Sequence, residues 1–321
     1  MSSPAADRSA PLGVPSRAIH ERQLDDDMLR LQRAATVSYQ RGQRVEALRI
    51  TVAVVIAVAG VLATLTGYGR TPLAITGFLW FLVSVIPLRA LAASLTRQGA
   101  LLQEMFDTTL FHLPWRGTVA GDPVADPDVS HLARSLKPDS GRDRRITGGW
   151  YDPTHGVHHP YDVLIAQEQN LAWDVRLRRR YSYLMLAVAV LWSVIGVLAG
   201  VITGSTVTDA LLSYFVPSLS AYELTLGTAY SQRRQAAERQ RLGQIVTDEL
   251  RAARPGPIDQ AEWLRLREVA RDVQDGVLRT RLDVSQVPDW FYKRYRDGDD
   301  RDFAETAEGH RRRLAGPATE A

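Results

Sequence analysis

The chain alternates between charge-free apolar runs and stretches dense in Arg, Asp and Glu. The first apolar run, RITVAVVIAVAGVLATLTGYG, covers about residues 49–69, and the second, TPLAITGFLWFLVSVIPL, about 71–88, extending toward Ser94. No charged residue lies between Arg49 and Arg70, and none between Arg70 and Arg89. The third run, YSYLMLAVAVLWSVIGVLAGVIT, spans 181–203, and the fourth, TDALLSYFVPSLSAYELTLGTAY, about 208–230. Only Asp209 and Glu223 interrupt the interval from Arg180 to Arg233. Runs of roughly 18 or more apolar residues are long enough to cross the hydrocarbon core as helices. The links GYGRTP and TGSTVT are too short for anything but tight reversals. The pattern therefore predicts an all-α integral membrane protein with four transmembrane helices in two hairpins, plus helical cytoplasmic regions.

Arginine placement orients the hairpins. Arg41, Arg44 and Arg49 precede the first crossing, and Arg89 and Arg97 follow the second. Arg176, Arg178, Arg179 and Arg180 precede the third, and Arg233, Arg234, Arg239 and Arg241 follow the fourth. The two tips share one Arg, so both termini and the 97–180 segment are expected on the cytoplasmic side of the membrane. The expected organisation is a cytoplasmic tail and helix (1–48), hairpin 1 (49–96), a cytoplasmic helical segment (97–180), hairpin 2 (181–230), and cytoplasmic C-terminal helices with a tail (231–321). Asp162 to Thr203 reads as one long helix running from cytoplasm into bilayer. A further helix is expected over about 258–282, with Trp263, Leu264, Val269, Val273 and Val277 at helical spacing.

Composition narrows the chemistry. The 321 residues contain no cysteine, which excludes disulfides, thiol catalysis and the usual ligands of structural zinc. No cleavable signal peptide is expected from the polar start. Catalytic signatures such as Gly-x-Ser-x-Gly, a phosphate loop or His-Glu-x-x-His are absent, so no enzyme and no cofactor are expected. His155, His158 and His159 are read as a loop rich in histidine and not as a metal site.

Three groups of residues stand out. Glu223 lies inside the fourth apolar run, with Pro217, Ser213 and Ser220 on the same helix. An intramembrane acid with a kinking proline and a polar stripe suits a pore lining; the alternative is a carboxyl paired inside the bundle or reaching the inner interface. Arg142, Arg144 and Arg145, followed by Trp150 and Tyr151, suit a phosphate-bearing ligand with stackable bases; the alternative is a solvated basic loop. Finally, FDTTLFHLPW (106–115) and QNLAWD (169–174) flank the cytoplasmic segment, offering Phe106, Trp115 and Trp173 as packing anchors. Asp107 or Asp174 is expected to pair with Arg176 or Arg179 there.

Together, FDTTLFHLPW, WYDP at 150–153, QNLAWDVRLRRRY at 169–181 and VQDGVLRTR…VPDWFYKRYR at 273–296 form one pattern. It resembles the family of four-transmembrane pore-forming effectors associated with second-messenger oligonucleotide synthetases of bacterial anti-phage defence. The resemblance covers about residues 20–300. It implies an effector that disrupts the membrane when a cyclic oligonucleotide is made, sensed directly or through another protein. The lipid bilayer and further copies of the chain are the expected partners, because four helices from one chain make too tight a bundle for a wide channel. No DNA or RNA partner is expected. The competing reading is a membrane-anchored sensor or scaffold that recruits cytoplasmic partners without conducting ions.

Overall fold

A computed structural model describes residues 15, 17–154, 156–254, 256, 258–282, 287–288, 291, 294–295 and 308–314. All regular structure in these residues is helical. After a single turn, α1 (Ile19–Arg22), the chain enters α2 (Asp26–Thr66), which runs unbroken from a charged half into the first apolar run. Gly67 and Gly69 then reverse it at φ 77° and 71°, left-handed values that glycine adopts without Cβ strain. The return is α3 (Arg70–Val83), a π-helical turn (Ser84–Leu88) around Pro87, and α4 (Arg89–Leu110), which together form one rod. The proline removes a backbone donor, and the wider π turn accommodates its ring.

Short helices α5 (Gly117–Ala120), α6 (Asp126–Arg134) and α7 (Asp143–Thr147) follow; α6 and α7 pack beside the charged half of α2, and Ala120 of α5 clusters with Ala100, Leu101 and Leu278. The second rod, α8 (Tyr161–Ile202), is continuous over 42 residues. This matches the single helix expected from Asp162 to Thr203. Its outer end turns through Gly204 into α9 (Val207–Ala210), whose start is a capping box between Thr206 and Asp209. A second π turn (Leu211–Phe215) and a bend at 216–218 lead into α10 (Leu219–Ala252). The last long helix, α11 (Gln260–Arg281), starts on an Asp259 cap and lies across the bases of α4, α8 and α10.

Among the described residues, three helical rods are long and apolar enough to cross a membrane by length and composition: Asp26–Ala63, Arg70–Leu110 and Tyr161–Ile202. The fourth apolar run differs. It is divided by the π turn and the bend at Pro217, so no uninterrupted helix fills it. It is nevertheless packed inside the bundle. A Cβ on Gly196 would lie 2.0 Å from the Tyr214 ring, and one on Gly77 2.5 Å from Pro217 Cα. Small residues at such crossings let backbones approach closely without a hydrophobic driving force between helices. The outward faces carry Val54, Val55, Ile75, Phe78, Leu191, Val194 and Leu212, all exposed. Uncovered apolar surface on every helix of a bundle is what lipid requires and water penalises.

The opposite end is built like a soluble domain. Ile19, Leu102, Leu110, Phe111, Leu164, Leu171, Leu250 and Leu266 are fully buried in one core that joins α2, α4, α8, α10 and α11.

Candidate functional site

The stretches that stand apart in sequence converge beneath the bundle. At the end of α4, Asp107 accepts from Tyr151 Oη (2.9 Å), Gln274 Nε2 (3.1 Å) and Arg281 Nη1 (2.6 Å). One turn earlier, Glu104 accepts from Arg271 Nη2 (2.7 Å) and Gln274 Nε2 (2.8 Å). Arg271 also bonds Asp275 through Nε (3.1 Å) and donates to Pro114 O (3.3 Å). Gln167 of α8 donates to Ala270 O at 2.8 Å. Phe111 meets the Tyr151 ring at 5.3 Å, and Trp115 Nε1 donates to Gly121 O at 2.8 Å. Asp152 and Gln169 exchange hydrogen bonds, and Asp174 is held by Arg178 (2.6 Å) and Arg239 (3.1 Å). Farther along, Phe291 packs on Tyr181 at 5.1 Å, and Arg180 lies over the Tyr295 ring at 4.8 Å.

This network is dry. Glu104 and Arg271 are each 1% exposed, so neither charge has water to stabilise it. Burying such groups is tolerable only when every one is paired and hydrogen-bonded. Burial pushes the Tyr151 phenol well above its usual range, reinforced by the Asp107 charge beside it. Burial likewise lowers the Arg239 guanidinium to about 10.

The predicted residues divide accordingly. Phe106, 2% exposed, sits in the main core, and Asp107 and Asp174 are ion-paired there. Their partners are Arg178, one turn on from Asp174 along α8, and the remote Arg239 and Arg281, which α10 and α11 bring back onto these positions. Trp173 belongs to α8, and its side chain lies outside the described residues, as does His155. Arg142, Arg144, Arg145 and Trp150 are exposed, whereas Tyr151 is 5% exposed and belongs to the junction. The turn is fixed by Asp143, whose carboxylate receives Arg33 Nε at 2.8 Å and is held below its usual range by that bond. Among the described residues no three His, Asp or Glu are grouped to hold a metal ion; His159 Nδ1 lies 3.0 Å from Asp162 instead.

Sequence reasoning passes over Glu104, Arg271, Gln274 and Arg281. One signal marks them: Gly276 stands inside an otherwise good helix, VQDGVLRTR. Interior helical glycine is unfavourable unless something approaches closely. A Cβ there would lie 2.6 Å from Leu242 of α10.

A second set lies where the apolar runs begin. Glu223 accepts from Arg49 Nη2 (3.1 Å) and Arg89 Nη1 (2.5 Å). Arg49, 3% exposed in its side chain, also bonds Glu46 (2.7 Å) and, through Nε, Ser84 Oγ (3.1 Å) in the first π turn. One carboxylate thus ties α2, α4 and α10 together. Ser213, Pro217 and Ser220 face the interior of the bundle. Ser213 Oγ donates to Asp209 O (2.6 Å), and Pro217 rests on Gly60 and Gly77. Ser220 Oγ is buried without a hydrogen-bond partner among the described residues. Trp192 stacks on Tyr214 at 5.5 Å and donates to Ser218 Oγ (3.1 Å), while Ser193 meets Tyr222 Oη at 3.0 Å. At the far ends, Arg70 and Asp209 lie 3.6 Å apart and join the two tips.

The comparisons with known proteins agree with this architecture. A model of the SMODS-associating 4TM effector domain matches residues 17–310. A probable CBASS effector molecule of Bacillus cereus (strain VD146) is 23% identical over 280 residues, which cover 85% of this chain and 91% of that protein. No solved structure matches. The matched interval takes in the apolar bundle, the dry junction and α11 alike, and the chain belongs to the SMODS-associating 4TM effector family.

Proposed function

We propose that this chain is a membrane effector of bacterial anti-phage defence that permeabilises the inner membrane when a cyclic oligonucleotide is made. In this reading the chain crosses the bilayer four times in two hairpins, with residues 1–48, 97–180 and 231–321 in the cytoplasm. The observation that carries it is a bundle with apolar outward faces and a polar stripe on one inner segment. Ser213, Ser218, Ser220, Tyr222 and Glu223 all lie on the broken fourth segment. Polar groups at bilayer depth are costly and mark pathways or switches. In a single chain this interior is filled by Tyr214 and Pro217, so conduction requires a rearranged bundle or several copies.

The test is membrane potential, read with a voltage-sensitive dye in cells expressing the protein with and without an active cyclic-oligonucleotide synthetase. Depolarisation is expected only when both are present. A polarised membrane with the protein inserted and the synthetase active would transfer the assignment to an anchored sensor or scaffold, a reading that the filled interior favours.

Glu223→Gln probes the same interior. It removes the carboxylate shared by Arg49 and Arg89. The expected result is an altered ion selectivity of the activated protein, read as a shifted reversal potential at unchanged membrane abundance. Loss of the protein from the membrane, with no shift in what remains, assigns Glu223 to packing alone.

A further inference from the structure

α8 and α10 continue side by side below the apolar bundle, and there they enclose a groove of about 370 Å³. Arg176 and Arg179 line one wall, on α8; Gln240, Gln244 and Thr247 line the other, on α10. Leu171 and Ala172 contribute an apolar floor. Arg176 and Arg179 are three residues apart, hence neighbours on one helical face, and both are exposed.

Charge decides what such a groove accepts. Its acidic groups are already engaged. Glu168 accepts from Thr247 (2.6 Å) and pairs with His310 (3.2 Å). Asp174, close by on α8, is shared between Arg178 and Arg239. Arg179 donates to a neutral acceptor, Gln240 Oε1, across the groove. The balance is positive, in guanidinium groups that bind phosphate oxygens in fork geometry. The side-chain amides add neutral hydrogen-bonding groups, and the floor adds apolar contact, the mixture typical of a small-molecule site.

We propose that this groove binds a phosphodiester anion between the roots of hairpin 2. The inference rests on the nucleotide-triggered reading for its physiological source, while its chemistry is shared with lipid headgroups just above it. Bonds to both walls replace the direct Arg179–Gln240 bridge and set the spacing of the two helices that enter the bundle. Arg142, just before the five-residue α7, and Arg144 and Arg145 within it are exposed elsewhere and serve as the control for mere positive charge.

Full-length protein in phosphatidylcholine nanodiscs is titrated with labelled cyclic di-AMP and cyclic di-GMP. At least one is expected to bind saturably, and Arg176→Ala/Arg179→Ala to weaken that binding at least tenfold. Arg142→Ala/Arg144→Ala/Arg145→Ala is expected to change it less than twofold. A second arm uses nanodiscs containing phosphatidylglycerol, with retained lipids counted by native mass spectrometry. No dinucleotide binding, together with fewer retained phosphatidylglycerol molecules in the double variant, keeps the phosphodiester site and assigns it to lipid. That outcome separates the groove from the nucleotide reading, which the synthetase-dependent depolarisation of the wild type tests by itself. Equal behaviour of wild type and double variant in both arms overturns the site, as does equal weakening by the α7 variant.

Discussion

Arg271→Ala is expected to lower the thermal midpoint of the detergent-solubilised protein by roughly 6 °C. The residue is 1% exposed and holds Glu104, Asp275 and the carbonyl of Pro114. Truncation leaves two buried carboxylates short of their counter-charge. Removing one member of a buried ion pair costs about 3–5 kcal/mol, and for 321 residues the unfolding entropy converts this at about 1.5 °C per kcal/mol. The source of the loss is testable by neutralisation. Arg271→Met combined with Glu104→Gln removes a buried charge of each sign and is expected to recover at least half of the midpoint. Should Arg271→Ala shift the midpoint by less than 2 °C, the buried network is not what fastens α11 to the end of α4.

Gly196→Ala is expected to have the largest effect within the bundle. The added Cβ would lie 2.0 Å from Tyr214 Cε1, a separation no side chain tolerates. Tyr214 is fully buried, stacks on Trp192 and donates to the Trp192 carbonyl, so it cannot yield without leaving all three. Overpacking of this kind costs about 1–3 kcal/mol or more. If the proposed pathway is closed by this contact, the variant depolarises cells in the absence of any synthetase, at matched membrane abundance. Gly200→Ala is the control: on the same helix, its Cβ would meet Ala210 at an ordinary 3.7 Å. Identical behaviour of the two variants would remove Tyr214 from the closing contact.

Much of the framework was legible in the chain. Bilayer-length runs without charge and glycine-rich reversals leave the backbone few choices, so α2, α3 and α8 fall where the hydropathy places them. The helix expected over 258–282 is observed as Gln260–Arg281. The break at Pro217 was visible as well, although its depth was not: a π turn and a bend leave three uninterrupted apolar rods among the described residues. The junction was half legible. FDTTLFHLPW and QNLAWD were recognisable as packing anchors, but apart from Arg178 their ionic partners lie in α10 and α11. Arg271, Asp272 and Asp275 look like a solvated helical face, because no local pattern reports which side of a helix a later fold will cover. That Tyr151 is buried in the junction was hidden for a related reason. Its neighbour Trp150 is 51% exposed, and two adjacent aromatics look alike until the backbone between them turns.

The unbroken length of α8 has a mechanical meaning. Forty-two residues at a rise of 1.5 Å make a rod about 63 Å long, anchored in the dry junction at one end and in the bundle at the other. In the proposed topology such a rod is a lever whose fulcrum lies near the inner face of the bilayer. A tilt of about 5° about its middle moves each end by nearly 3 Å, roughly one hydrogen-bond length. A displacement of that size exchanges one set of polar partners for another at the base. Gly196, about 22 Å from the middle, moves by about 2 Å against the Tyr214 ring, so polar pairing at the base and packing in the bundle are two readings of a single angle.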